Sequence, residues 1–173
     1  MNTNTATTIE QQKAQEQFRK KMLNKSVFRT FTLTQVPLGY LAGMKLNSLD
    51  LHTCSTSMKY KWINKNPFKS MYFAAQSMAA ELSTAALCML GIQGYAPSVA
   101  FIIIGMEATF PKKATGKVTF TCEDGDAIME CIQKAIDTGE ASTIKTKTVG
   151  RMEDGTVVSE FFFTWSFKQR KSK

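Results

Sequence analysis

Apolar and polar positions follow two rhythms along this chain, and residues 71–90 follow neither. That stretch contains no Pro, Gly, Lys or Arg and is dense in Ala, Met and Leu, all strong helix formers. Twenty helical residues would be about 30 Å long. Apolar nearly all round rather than along one stripe, the helix is expected to be buried. Ser70 is placed to cap the N–H of Phe73 or Ala74, and Gly91 to end the helix in a left-handed C′ conformation. Glu81 is its only charged residue, and Ser77, Glu81 and Thr84 at i, i+4 and i+7 form one narrow polar line. A carboxylate there is costly unless it has a partner or a function. The length also suits a membrane span, but Gln76, Ser77, Glu81, Ser83 and Thr84 weigh against one. Residues 99–106 are too short and too β-branched to supply a second span. A soluble core helix is therefore expected.

The remaining pattern divides into short elements. Residues 8–25 are polar and Gln-rich, with Phe18 and Met22 four apart, and predict a short amphipathic helix lying on the body of the protein. Residues 28–41 are mixed, with Pro37 and Gly39 marking a turn. Residues 44–51 and 53–63 alternate imperfectly and predict two strands, with Lys59 and Lys61 on one face of the second and Tyr60 and Trp62 on the other. After the long helix, residues 98–110 predict a strand with a bulge at Gly105, closed by Pro111 with a turn at Lys112 and Lys113. Residues 116–122 alternate as a strand. Residues 124–138 place Ile128, Cys131, Ile132, Ala135 and Ile136 on one helical face, ended by Gly139. Residues 142–150 and 156–167 form a hairpin about Asp154 and Gly155, with Val157, Ser159, Phe161, Phe163, Trp165 and Phe167 pointing one way. The order predicts an α+β architecture, a curved antiparallel sheet wrapped around one long helix, with a second copy covering the rest.

Composition narrows the class. A chain of 173 residues, 43% hydrophobic and 21% charged, is expected to be a single domain spanning 1–173 with room for a core. Within it, 1–26 form an N-terminal helical extension and 168–173 a basic tail. Lys and Arg number 22 against 14 Asp and Glu, a net charge of +8, which favours anionic partners without choosing among them. No aromatic-basic motif of the RNA-binding type is visible, so nucleic acid is not the expected partner. The first eight residues are polar and lack an apolar core, so no secretory signal is expected and the protein is read as cytoplasmic. Cys54, Cys88, Cys122 and Cys131 show no Cys-x-x-Cys pair and read as reduced thiols. His52 is the single histidine, which leaves no expected metal site and weakens any Ser-His-Asp or Cys-His proposal. It reads as a surface strand position.

The run Asn66-Pro67-Phe68-Lys69-Ser70-Met71-Tyr72-Phe73-Ala74, followed by Glu81, resembles the active-site stretch of hotdog-fold acyl-CoA thioesterases. In the phenylacetyl-CoA and hydroxybenzoyl-CoA thioesterase branches an Asn or Gln comes first. Seven residues on stands a residue, usually Gly, whose N–H binds the thioester oxygen, and eight further on an Asp or Glu. Those positions fall on Asn66, Phe73 and Glu81, with both spacings kept. The resemblance extends more weakly, through element order, over residues 37–167, and is nearest to an uncharacterised thioesterase-like branch. It implies the hotdog fold and a thioester substrate, with coenzyme A as part of the substrate and no separate cofactor. Where the family has His-Gly-Gly, this chain has Tyr72-Phe73-Ala74, which keeps a backbone N–H but loses the room glycine leaves for substrate. A hydroxyl that some members supply from the next strand would fall near Phe101, where there is none.

The residues themselves suggest how such chemistry would run. A helix N-terminus offers aimed N–H donors and a partial positive charge for an oxyanion. Asn66 would orient the carbonyl or the water, and Glu81 would act as general base or nucleophile, its pKa raised by burial. Phe73 and Glu81 lie eight residues apart, about 12 Å along a helix axis, so one thioester carbon cannot touch both. Two antiparallel helices from two subunits would solve this, which predicts a homodimer or a dimer of dimers. Lys59, Lys61, Lys112 and Lys113, with Lys65 and Lys69, are candidates for the coenzyme A phosphates. A hotdog domain that binds an acyl or aromatic ligand without catalysis is the alternative.

Overall fold

The structure is a computed structural model and describes residues 3–170; residues 1–2 of the polar start and 171–173 of the basic tail lie outside them. The chain opens with three helices, α1 (Thr3–Leu23), α2 (Lys25–Gln35) and α3 (Pro37–Ala42). Two strands follow, β1 (Lys45–Leu49) and β2 (Cys54–Lys59), then a 3₁₀ turn at Trp62–Asn64. The long helix α4 (Phe73–Gly91) leads into β3 (Val99–Thr109), β4 (Lys117–Cys122), α5 (Gly125–Thr138), β5 (Ser142–Met152) and β6 (Val157–Gln169). The six strands form one sheet in the order β1-β2-β4-β5-β6-β3, antiparallel throughout. The expected architecture is present: the sheet curls about α4, with the N-terminal helices added.

Several local expectations change. Residues 28–41, read as mixed with a turn, are helical. Asn24 caps α2 by accepting from the N–H groups of Ser26 and Val27. Pro37 starts α3, where its missing N–H costs nothing, rather than making a turn. Gly39 serves packing, since a Cβ there would stand 2.7 Å from Met44 Cε. Strands β1 and β2 are shorter than predicted. The second gives way after Lys59 to the 3₁₀ turn, so Trp62 is not on a strand face, and His52 lies in the connecting loop.

Helix α4 does not end at a left-handed Gly91. Gly91 is helical and buried, and a Cβ on it would meet Ile132 Cδ1 at 2.6 Å, so the glycine lets α4 and α5 approach. The left-handed residue comes later, at Gly94. Gly139, by contrast, closes α5 in the left-handed conformation, as predicted. The bulge at Ile104 and Gly105 is present, and the hairpin of β5 and β6 turns about Asp154 and Gly155. A second bulge pairs Gly150 with Ser159 but Arg151 with Val157. It turns Val158 into the core and leaves Val157 half-buried, so Val157 drops out of the predicted face. Lys112 and Lys113 lie in a connection that crosses from β3 to β4, since these strands are not neighbours.

Cover for α4 comes from more than the sheet. It packs on β1, β2, β4, β5 and β6, while α1 and α5 close on it from within the same chain. Thirteen of its residues are buried, Ala79, Ala80, Ala86, Leu87 and Cys88 completely. Phe73, Ala74, Ser77, Met78 and Glu81 remain partly or fully open, a strip along one side of the helix beginning at its N-terminus. Although α4 is long and apolar enough to cross a membrane, two thirds of its apolar window is buried in this core.

Candidate functional site

The chain entering α4 is pinned on both sides. Met71 N donates to the carbonyl of Ala114 at 2.7 Å and Tyr72 N to that of Asn64 at 2.8 Å. Tyr72 occupies the N-cap with an extended backbone, and its side chain makes no capping hydrogen bond. The N–H groups of Phe73, Ala74 and Ala75 consequently have no acceptor among the described residues. Three unsatisfied donors and the positive end of the helix dipole are thus presented together.

Ser70, expected as the cap, is engaged elsewhere. Its N–H and hydroxyl both reach Asn66 Oδ1 at 3.2 Å, and Phe68 N donates to the same oxygen at 3.0 Å. The Asn66 side chain therefore shapes the loop before α4, in the manner of an Asx turn, with Lys69 in the left-handed region at φ 58°. Phe73 stands at the first helical position and is 51% exposed. Tyr72 meets it edge-on at 4.7 Å and Phe110 at 6.3 Å, and Phe110 in turn contacts Phe161 at 5.5 Å. An aromatic cluster thus fills the space around the helix start.

Glu81 lies two turns further along the open strip. Burial raises its carboxyl above the usual range. It has no ion-pair partner among the described residues. Its polar neighbours are satisfied locally: Ser77 Oγ donates to the carbonyl of Phe73, and Thr84 Oγ1 to that of Glu81. Thr84 Oγ1 also accepts from Trp165 Nε1 at 3.1 Å, a contact across the core that sequence spacing does not reveal. Gln76 is a second omission. It is buried behind the helix start, with Nε2 donating to the carbonyl of Met71 and Oε1 without a partner among the described residues. The signal for it was a lone amide in an apolar helix.

Lys59, Lys61, Lys112 and Lys113 are all exposed, and none forms an ion pair among the described residues. Lys113 Nζ donates to the carbonyl of Phe68, which brings the crossing loop beside the loop before α4. His52 is remote from this place. It pairs with Asp126 at 2.7 Å beside a cavity of about 350 Å³ at the other end of α4, lined by Gln12, Arg19, Asp50 and Leu90. No group of His, Cys, Asp and Glu suited to a metal occurs among the described residues.

Within one subunit Asn66 and Phe73 flank the helix start, and Glu81 stands apart, about 12 Å from Phe73 along the axis. This arrangement, a long helix with an open N-terminus held in a curled six-stranded sheet, defines a hotdog-fold protein. Solved structures match it closely. A protein of unknown function from Pseudomonas aeruginosa, described as a probable thioesterase, superposes with a TM-score of 0.74 at 21% identity, covering 86% of this chain and 97% of that one. A thioesterase from the same organism, solved as a mutant, gives 0.59 at 16% identity over 90% and 94%. A thioesterase from Haemophilus influenzae gives 0.54 at 12% identity over 89% and 90%. These likenesses establish the fold. Among curated proteins none matches. Residues 24–167 match the family described as Domain of unknown function (DUF4442), and the chain belongs to that family.

Proposed function

We propose that the protein is an acyl-CoA thioesterase, with Glu81 as general base or nucleophile and the N-terminus of α4 as the oxyanion site. The observation that carries this reading is Glu81 itself: a carboxylate largely withdrawn from water, with no counter-charge among the described residues, on the open strip of the core helix. Burial without compensation is costly for a structural residue but useful for a base that must hold a proton near neutral pH. In the hydrolysis, Glu81 takes a proton from water as the water oxygen bonds to the acyl carbon. The carbonyl oxygen becomes an oxyanion at the free N–H of Phe73 and its neighbours. Collapse expels the thiolate of coenzyme A, which takes the proton held by Glu81 and leaves as the free thiol. Asn66 acts by holding the loop that sets the helix start, and Lys59, Lys61, Lys112 and Lys113 meet the phosphates of coenzyme A.

The two groups must come from different subunits. Strand β3 is the sheet edge that suits such a pairing: eleven residues long, unpaired on one side, with Ile102, Ile103, Ile104 and Met106 exposed. The opposite edge, β1, is short, bulged and largely polar, the usual form of a protected edge. Two-fold pairing along β3 would cover its apolar side chains and set two sites by symmetry. The test is a panel of acyl-CoA esters of differing chain length and aromatic content, with the released thiol measured. Turnover of at least one class that disappears in Glu81→Gln is expected; no turnover across the panel would remove the enzyme.

A second reading, a hotdog domain that binds an acyl or aromatic ligand without hydrolysing it, is favoured by the rings of Tyr72, Phe73 and Phe110 around the helix start. It predicts a thermal shift with ligand and no thiol release.

A further inference from the structure

Besides the apolar residues of β3, a second set of large apolar side chains stands in solvent. Trp62 is 79% exposed, Leu38 72% and Phe68 71%, with Leu41 and Ile63 also open. They come from three pieces of backbone tied to one another. Asn64 Nδ2 donates to the carbonyls of Ala42 and Lys59, joining the 3₁₀ turn to the end of α3. The carbonyl of Asn64 accepts from Tyr72 N, and Asn66 N donates to the carbonyl of Ser70, which folds the Phe68 loop back on the same turn. Leu38 and Leu41, three apart, share one face of α3.

The segment of chain that builds this face is strongly basic. Residues 24–73 carry Lys25, Arg29, Lys45, Lys59, Lys61, Lys65 and Lys69 against a single carboxylate, Asp50. Lys65 Nζ sits 5.7 Å above the Trp62 ring. None of these seven cations forms an ion pair among the described residues, whereas Lys117, Lys145 and Lys147 elsewhere are paired with Glu153, Glu107 and Glu160. Asp50 itself is occupied by the N–H groups of His52 and Thr53.

From this combination we infer that the face formed by α3, the Trp62 turn and the Phe68 loop docks the protein onto an anionic lipid surface. Exposed Trp, Phe and Leu seat in the headgroup boundary while the surrounding lysines meet anionic headgroups. A second copy is the wrong occupant, because an isologous contact would set each lysine cluster against its own image. Three aliphatic side chains, which offer neither stacking nor hydrogen bonds to a base, favour lipid over nucleic acid. The inference does not depend on thioester hydrolysis.

The chain carries its own reporter. Trp62 and Trp165 are the only tryptophans, and Trp165 is 3% exposed, so a change in emission on docking reports Trp62. The full-length protein is mixed with vesicles of phosphatidylcholine alone, or of equal parts phosphatidylcholine and phosphatidylglycerol, and followed by emission and sedimentation. A blue shift and co-sedimentation are expected with the anionic vesicles only, weakening as salt is added. Lys65→Glu with Lys69→Glu should weaken partition more than tenfold, at roughly fivefold for each lost cation and more for reversal. Phe68→Ser should weaken it at unchanged charge. Lys134→Glu, on exposed α5, should leave it nearly unchanged. No shift with anionic vesicles overturns the inference. So does an equal loss in Lys134→Glu, which would make net charge the cause. A shift that follows protein concentration without vesicles identifies a second copy instead, and an equal shift with single-stranded DNA identifies nucleic acid; either result overturns the lipid assignment.

Discussion

Glu81 makes opposite demands on stability and on activity. Its carboxyl titrates above the ordinary range because burial penalises the charged form. The folded protein then holds a proton that the unfolded chain has already released. Stability falls as pH rises from the ordinary glutamate value through the raised one, and is constant above it. Glu81→Gln removes this dependence. The melting temperatures of the two proteins should coincide in acid and separate above that window, with the Gln variant the more stable. Turnover should drop about 100-fold or more if Glu81 is the base. A lower melting temperature at neutral pH with turnover intact would refute the assignment. The cysteines behave as core residues by the same physics. Burial pushes Cys122 up to about 12 and Cys54 and Cys88 up as well, although Cys54 and Cys122 face each other across β2 and β4. An aromatic disulfide reagent should react slowly with the native protein and rapidly with all four thiols after denaturation. Slow reaction would also keep the protein's own thiols from masking any thiol released in the acyl-CoA assay.

At the level of elements, two helix ends carry testable weight. Gly125 opens α5 with its N–H on the carbonyl of His52, and a Cβ there would stand 2.5 Å from that same oxygen. The obstacle is backbone, which cannot rotate away as a side chain does. Gly125→Ala should therefore cost about 1–3 kcal/mol through displacement of α5 from the β1–β2 loop, against a helix-propensity gain of about 1 kcal/mol or less. Denaturant unfolding at constant m-value would measure it; an unchanged midpoint would mean the loop yields freely. Asn24 closes the gap between α1 and α2 by accepting two N–H groups. Asn24→Ala should lose about 1 kcal/mol. If it does not, water satisfies those donors equally well.

For the whole molecule the central issue is which surface a second copy covers. The argument from the core helix alone is weaker than the sequence suggested, because α1 and α5 cover α4 from within the chain. The argument from β3 is stronger. An exposed eleven-residue edge with four large apolar side chains is an open invitation to strand pairing. Light scattering at micromolar concentration should give at least twice 19.3 kDa. Ile102→Lys with Ile104→Lys should shift the mass to the monomer and abolish turnover, although neither residue lies on α4. A monomeric wild type would sink both the dimer and the shared site.

Much of this fold follows from patterns within about twenty residues. The apolar run of α4, the heptad-like face of α5, the alternation of β6 from Ser159 onward and the Asp154-Gly155 turn are properties of chain geometry, and each formed as the local pattern requires. The spacing of Asn66, Phe73 and Glu81 was likewise legible, because it lies within one loop and one helix. The rest depended on what packs against what. Ser70 is as good a cap as any by composition, yet the turn hydrogen bonds of Asn66 reached it first. Gly91 carries no sign that it faces Ile132 rather than a left-handed turn. Nor does the sequence reveal that β3 pairs with β6 and so becomes an edge, since strand order is set by contacts across more than fifty residues. That order exposed Ile102, Ile103 and Ile104, and the helices α1 and α5 left Glu81 on an open strip. Residue periodicity determined the elements; long-range packing decided which of their faces stayed free to act.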